Sequence, residues 1–320
     1  MPLKTKVLMI VGLAMSFAVG PADSAVREFF GSDSFVVSDG KQVVVNVWDV
    51  DVFVRAADTP MVRCTTDLRI AGTGAEKADQ WIAARVPKFT ENDKGLILTL
   101  EPGEEGFLGI GAFTRRRRVG LLIPHPVIPD LTTSSGTIAI EGDFLAADPL
   151  RLRTGSGSIS FDGAAKSLEI RTTSGKTEVR VVRPLNRFWV RTSSGPVNLT
   201  GGALEVEVET ASGDVSLAAL SGSAVVTSVG GNLDLDWDHL GPDAVVTIRS
   251  LKGDITVTMP HSIRPSGILT TTSGAIKSEF PGEVNEKGDT VTLTGDGPRL
   301  EIETASGAIH LTAGRGWFAP

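Results

Sequence analysis

Phe188–Leu217 reads FWVRTSSGPVNLTGGALEVEVETASGDVSL and holds one short phrase twice. Val190, Thr192, Gly195, Val197 and Leu199 are matched eighteen residues later by Val208, Thr210, Gly213, Val215 and Leu217. On each side of the glycine, apolar and polar residues alternate, the period-2 pattern of a strand with one buried face. At the glycine the phase slips: inward positions fall five, three and one before it, then two and four after it. One extra residue there must turn the chain if both arms are to keep their apolar side inward. The expectation is a corner at which glycine takes a positive φ, a conformation that it reaches at little cost and a β-branched residue does not.

The phrase recurs outward in both directions. Aligned on Gly136, Gly157, Gly175, Gly195, Gly213, Gly231, Gly253, Gly274 and Gly307, the intervals are 21, 18, 20, 18, 18, 22, 21 and 33 residues. Five before each glycine stands an aliphatic residue, from Leu131 to Ile302, and three before it a Thr or Ser, from Thr133 to Thr304. The columns after the glycine are apolar except at Thr177 and Ser278. Such a unit is too short for a strand-helix-strand crossover of roughly 30 residues and suits one coil of a β-solenoid. The expected fold is all-β: a single-stranded parallel β-helix of about nine to ten coils, with three short faces per coil and Leu204, Leu220, Leu240 or Ile263 on the third. The Thr/Ser column reads as a structural hydroxyl ladder bonding its neighbours or the corner backbone. As a set of nucleophiles it would need a paired base, and none recurs with it.

Residues 26–130 form a less regular β segment ahead of the array at 131–320, continuous with it. Val43, Val45 and Val47, then Val50, Val52 and Val54, show the same slip with Trp48 and Asp49 at the corner, a degenerate first coil. Thr73 and Glu76 have capping-box spacing, and Ala78, Trp81, Ile82, Arg85 and Val86 follow at helical spacing up to Pro87. This short helix is expected to cap an open end of the stack through Trp81, with Trp317 and Phe318 over the other end. Residues 1–25 read as a signal peptide: Lys4 and Lys6, an apolar run from Val7 to Val19, then Ala22, Ser24 and Ala25. The run is short for a bilayer span, and no second one follows. The expected location is therefore periplasm, cell surface or medium.

Composition sets further bounds. The 320 residues carry a formal net charge of −7, which argues against nucleic-acid binding as the whole-chain function. A single cysteine, Cys64, excludes an internal disulfide and a Cys-rich metal or redox site. His125, His239, His261 and His310 are scattered without a metal-ligand motif, so no metal or cofactor is expected. Asp234, Asp236 and Asp238, near His239 and Asp243, lie on one side of a strand but lack a calcium-loop signature.

Two basic features remain. Arg115, Arg116, Arg117 and Arg118 follow Phe107, Leu108, Ile110 and Phe113. They read as a solvated loop between strands or as a contact for a membrane or polyanion. Arg153, Arg171 and Arg191 share one outward column of three successive units, the better candidate stripe for an anionic polymer. Glycan cleavage is the enzymatic alternative, but no carboxylate pair stands out, and no catalytic residue is assigned.

The units at Thr133–Ile140, Thr192–Leu199, Thr210–Leu217, Thr271–Ile276 and Thr304–Leu311 resemble the T-x-S-G-x-I-x-L rungs of a bacterial domain family of unknown function, described as adhesin-like, β-strand-repeat or autotransporter-head-like. The resemblance extends over most of residues 35–313, including Val43–Val54, the helix around Trp81 and Val119–Pro124. It implies a parallel β-helix in an exported or membrane-attached protein, with no catalytic residues to carry over. The combined expectation is a non-enzymatic envelope scaffold or adhesin-like recognition protein that binds an envelope protein or an anionic polysaccharide. A polysaccharide-active β-helix enzyme is the alternative.

Overall fold

The computed structural model describes residues 10–11, 15–19, 25–100, 114–146 and 149–314. Lys4, Lys6, Ala22 and Ser24 of the expected signal peptide, Phe107 to Phe113 ahead of the arginines, and Trp317 and Phe318 lie outside the described residues. The described pieces of the apolar start, Ile10–Val11 and Met15–Val19, pair antiparallel with Ala25–Phe35. The protein is all-β, with one helix among the described residues and its strands gathered in two long, mostly parallel sheets. It divides into two compact units, Met1–Ser158 and Ile159–Pro320.

In the C-terminal unit each repeat contributes one strand to each sheet. Ser167–Thr172, Leu185–Thr192, Ala203–Thr210, Ser223–Ser228 and Val245–Lys252 lie side by side in parallel. On the other sheet Ile159–Gly163, Thr177–Val181, Val197–Thr200, Val215–Leu220, Leu233–Trp237 and Ile255–Pro260 do the same. Repeat positions stand in register: Val190 faces Ile170 and Val208, and Leu199 faces Val179 and Leu217. All six are buried. Two sheets take the place of the three faces expected. Leu204 and Leu220 belong to the strands Ala203–Thr210 and Val215–Leu220, and Leu204 points to solvent.

Spatial order departs from chain order at the last repeat. Arg299–Ser306 lies between Val245–Lys252 and Ser266–Thr271. Likewise Ile309–Gly314 lies between Ile255–Pro260 and Ile276–Ser278. The long interval before Gly307 makes this possible. Its hairpin, Gly282–Val284 with Thr290–Thr294, pairs antiparallel on the outer edge of Ser266–Thr271, and the chain then returns through Gly295 and Gly297 against Arg264 and Pro265.

The N-terminal unit repeats this arrangement at the opposite end of the sequence. The degenerate first coil is present as two strands, Gln42–Val47 and Asp51–Ala57. Gln42–Val47 lies between Ile128–Thr133 and Gly95–Leu100, and Asp51–Ala57 between Ile138–Glu141 and Thr114–Pro124, all parallel. Beyond Thr114–Pro124 the sheet turns antiparallel through Val62–Thr73 and Ala25–Phe35. The helix, Ala75–Ala83, lays Ala78, Trp81 and Ile82 on Leu68 and Ile70 of that antiparallel part. Arg27 reaches Asp79 at 2.6 Å to tie it down. Its N-cap is Gly74 with no side-chain cap bond, because Thr73 is still paired as a strand residue opposite Ala25.

The corner glycines have a different reason from the one expected. Only some, such as Gly231 and Gly253 at φ +100° and +108°, use the left-handed region. What they share is contact. A Cβ on Gly157 would lie 1.8 Å from the carbonyl oxygen of Gly136, one on Gly195 1.9 Å from that of Gly175, and one on Gly213 2.2 Å from that of Gly195. Glycine stacks on glycine from coil to coil, leaving no room for a side chain.

The hydroxyl column completes five of the corners. Thr133, Thr154, Thr172, Thr192 and Thr210 are buried, and each Oγ1 accepts the N–H of the glycine three residues on, at 3.0–3.2 Å. Thr154 also donates to the carbonyl of Gly136 in the neighbouring coil at 3.1 Å. The ladder therefore satisfies buried corner backbone that has no other partner in the turn.

Candidate functional site

Arg115–Arg118 are not a loop. They open the strand Thr114–Pro124 and pair antiparallel with Asp67–Ile70. Successive side chains leave opposite faces of a strand, so the run divides. Arg116 makes a two-pronged contact with Asp67 at 2.9 and 3.0 Å. Arg117, opposite Leu68, is largely buried on an ion pair with Asp49, and burial lowers its pKa below the ordinary guanidinium value. Arg118 lies 5.9 Å over the ring of Phe53. Asp67 and Asp49, distant in sequence, offset two of the four charges where the arginine run forms a strand.

Each arginine of the proposed stripe has a carboxylate partner. Arg153 meets Asp130 at 2.8 Å in the N-terminal unit. In the C-terminal unit Arg171 and Arg191 are cross-strand neighbours, bonded to Glu169 and Glu209 at 3.2 Å each. The column through Arg171 and Arg191 continues as Glu209, Thr227, Arg249 and Glu303. The column beside it runs Glu169, Trp189, Glu207, Val225, Thr247 and Glu301. Arg187 meets Glu207 at 2.8 Å, and Arg249 bonds Glu301. Between these pairs the half-buried Trp189 carries Arg171 4.8 Å above its ring, and Val225 and Ile268 are exposed. The face is thus charge-compensated and amphipathic.

Asp234 and Asp236 point outward from Leu233–Trp237, while Trp237 points inward and donates its indole N–H to the Gly222 carbonyl at 2.9 Å. Partial burial, then Asp238 and Asp234, raise the pKa of Asp236. Among the described residues no group of three or more His, Cys, Asp or Glu side chains is placed to hold a metal ion. Cys64 is buried opposite Asp33, and burial followed by that carboxylate pushes its pKa up to about 12, so it is held as a neutral thiol.

The sequence reading placed Trp48 at a corner without assigning it a role. Its side chain is 50% exposed and borders a cleft of about 430 Å³ with Asn46, Val47, Thr99, Leu100, Thr132, Thr133 and Ser134. The signal was available in the alignment: Trp48 stands where the other units carry smaller side chains, from Gly155 and Ser134 up to Val229 and Leu251.

No helix among the described residues is long and apolar enough to cross a membrane. The family model described as Toastrack DUF4097 matches residues 41–312. Among curated proteins none matches the chain. Solved structures similar to it include a "putative adhesin" from Parabacteroides distasonis, with 14% identity, 88% of this chain and 96% of that chain covered, and a TM-score of 0.47. A "putative lipid binding protein" from the same species shows 14% identity, the same coverages and a TM-score of 0.48. A "putative adhesin" from Parabacteroides merdae shows 10% identity over 87% of this chain and 95% of that chain, with a TM-score of 0.47.

Proposed function

We propose, from the premise that this chain belongs to the Toastrack DUF4097 family, that it is a non-enzymatic, adhesin-like recognition protein, exported by its N-terminal segment to the cell envelope or surface and binding a protein partner there. The observation that carries this reading is the outward face of the strands from Ser167 to Ile268. Arginine–glutamate pairs there surround Trp189, Val225 and Ile268. Aromatic, aliphatic and arginine side chains on one surface are the composition of protein interfaces, where Trp and Arg carry most of the binding energy. A polyanion site would instead present cations without carboxylates bonded to them.

The test places a photo-crosslinking residue at Val225 and, as control, at Thr256 on the other sheet, in the producing cell. The expected result is a protein adduct of one mass from position 225, absent from 256 and lost with Trp189→Ala. Affinity for an anionic polysaccharide that disappears in the Arg153/Arg171/Arg191→Ala variant would overturn this reading in favour of the charged stripe. Turnover on a polysaccharide panel, abolished by one carboxylate substitution, would replace it with an enzymatic one.

A further inference from the structure

The first coil breaks the repeat at three adjacent positions. Register with Ile128–Thr133 puts Val47 in the hydroxyl column opposite Thr133. Counting on from there, Trp48 replaces the small residue that follows, and Val50 replaces the stacking glycine. The two neighbouring coils carry Ser134 and Gly155 at this corner, and where later coils carry larger residues they are the aliphatic Val229 and Leu251, with no other indole in the column. Places where a chain departs from its own structural rule are where function is expected.

The corner is also held firmly. Asp49 is one of two non-glycine residues among those described with positive φ, at +54°. Strain of this kind persists only where the surroundings fix it. Here the Trp48 N–H donates to the Leu100 carbonyl at 3.2 Å, and the Asp49 N–H to Ser134 Oγ at 3.0 Å. Ser135 donates to the Asp49 carboxylate at 2.7 Å, and Arg117 pairs with it. The indole is therefore presented from a fixed backbone.

The cleft beside it suits one ligand chemistry. Among the described residues its lining has no charged side chain. Thr99, Asn46 and Thr132 are cross-strand neighbours on three adjacent strands, so their hydroxyl and amide groups form a row about 4.8 Å apart next to the indole. An apolar ring face beside a row of neutral donors and acceptors matches a pyranose, which has an apolar C–H face and a rim of hydroxyls. The volume, about 430 Å³, lies within the usual range for small-ligand sites. An anionic ligand would find no counter-charge among the described lining residues. The geometry points to a binding subsite for an uncharged glycan, stacked on Trp48 and hydrogen-bonded by Asn46, Thr99 and Thr132.

Calorimetric titration of the full chain with cellohexaose, chitohexaose and mannohexaose tests this. At least one is expected to bind, with affinity falling roughly tenfold or more in Trp48→Ala and in Asn46→Ala/Thr132→Val. It should survive in Trp48→Phe and be unchanged in Trp189→Ala, which separates this site from the protein-binding face. Melting temperatures check that the variants fold, and Trp48→Phe keeps a folded aromatic comparison. Absence of binding by all three sugars at about 10 mM, binding that persists in Trp48→Ala, or capture of decanoate in place of any sugar would each overturn the assignment.

Discussion

The two units use one strand pattern but differ in what they hold inside their corners. From residue 159 onward the corners Thr192–Gly195 and Thr210–Gly213 are built of hydroxyl, small residues and glycine, and arginines meet glutamates out in solvent. In the N-terminal unit the first coil has Val47, Trp48 and Val50 at those places, and a largely buried Arg117 crosses to the strained Asp49. Regularity in one case and irregularity in the other thus coincide with the two different functions proposed. The regular unit makes a repetitive surface, and the irregular one a single fixed feature.

Substitutions can break this contrast, and the largest effect belongs to the stacked glycines. Gly195→Val must displace the Gly175 carbonyl, whereas Gly40 has open space around it and only its φ of +73° to lose. Urea unfolding should show a loss of about 4 kcal/mol or more for Gly195→Val, against roughly 1–2 kcal/mol for Gly40→Val. Equal losses would remove the stacking argument. Ion pairs should rank next and differ between the units. Arg117→Met leaves Asp49 partly buried without its cation and should cost about 2–3 kcal/mol. Arg191→Ala, two-thirds exposed, should cost less than about 0.5 kcal/mol. If the two cost the same, the N-terminal corner is no more rigid than the surface. Thr192→Val keeps the shape but leaves the Gly195 N–H without an acceptor. It should cost about 1–2 kcal/mol by thermal or urea unfolding, below Arg117→Met, and a neutral result would mean that the hydroxyl column is decorative.

Much of this was legible in the residues. Alternation around Gly195 and Gly213 specifies which side chains face inward, since a slip of one would turn Val190 and Val208 out to solvent. Alternation does not specify neighbours. Arg299–Ser306 carries the same inward pattern as Val245–Lys252 and Ser266–Thr271, so its place between them could not be read from it. Nor does a glycine column distinguish a need for positive φ from a need for absent volume, and here the second is general. The arginine run hid its strand because a buried arginine imitates no apolar pattern, and its partner Asp49 stands 68 positions earlier in the chain. Trp48 was visible as a departure from the repeat. Its row of polar companions appears only when Gly95–Leu100 is set beside Gln42–Val47.

The insertion of the last repeat bears on how the protein is made. Residues 245–278 are synthesised before residues 299–314, yet the finished stack places the later segment between parts of the earlier one. A gap one strand wide must stay open in each sheet, or reopen, until residues 299–314 arrive. A chain stopped at Pro298 would not simply lose its final rung. It would leave two facing edges of unpaired backbone in its interior, so closure of both sheets waits on residues 299–314.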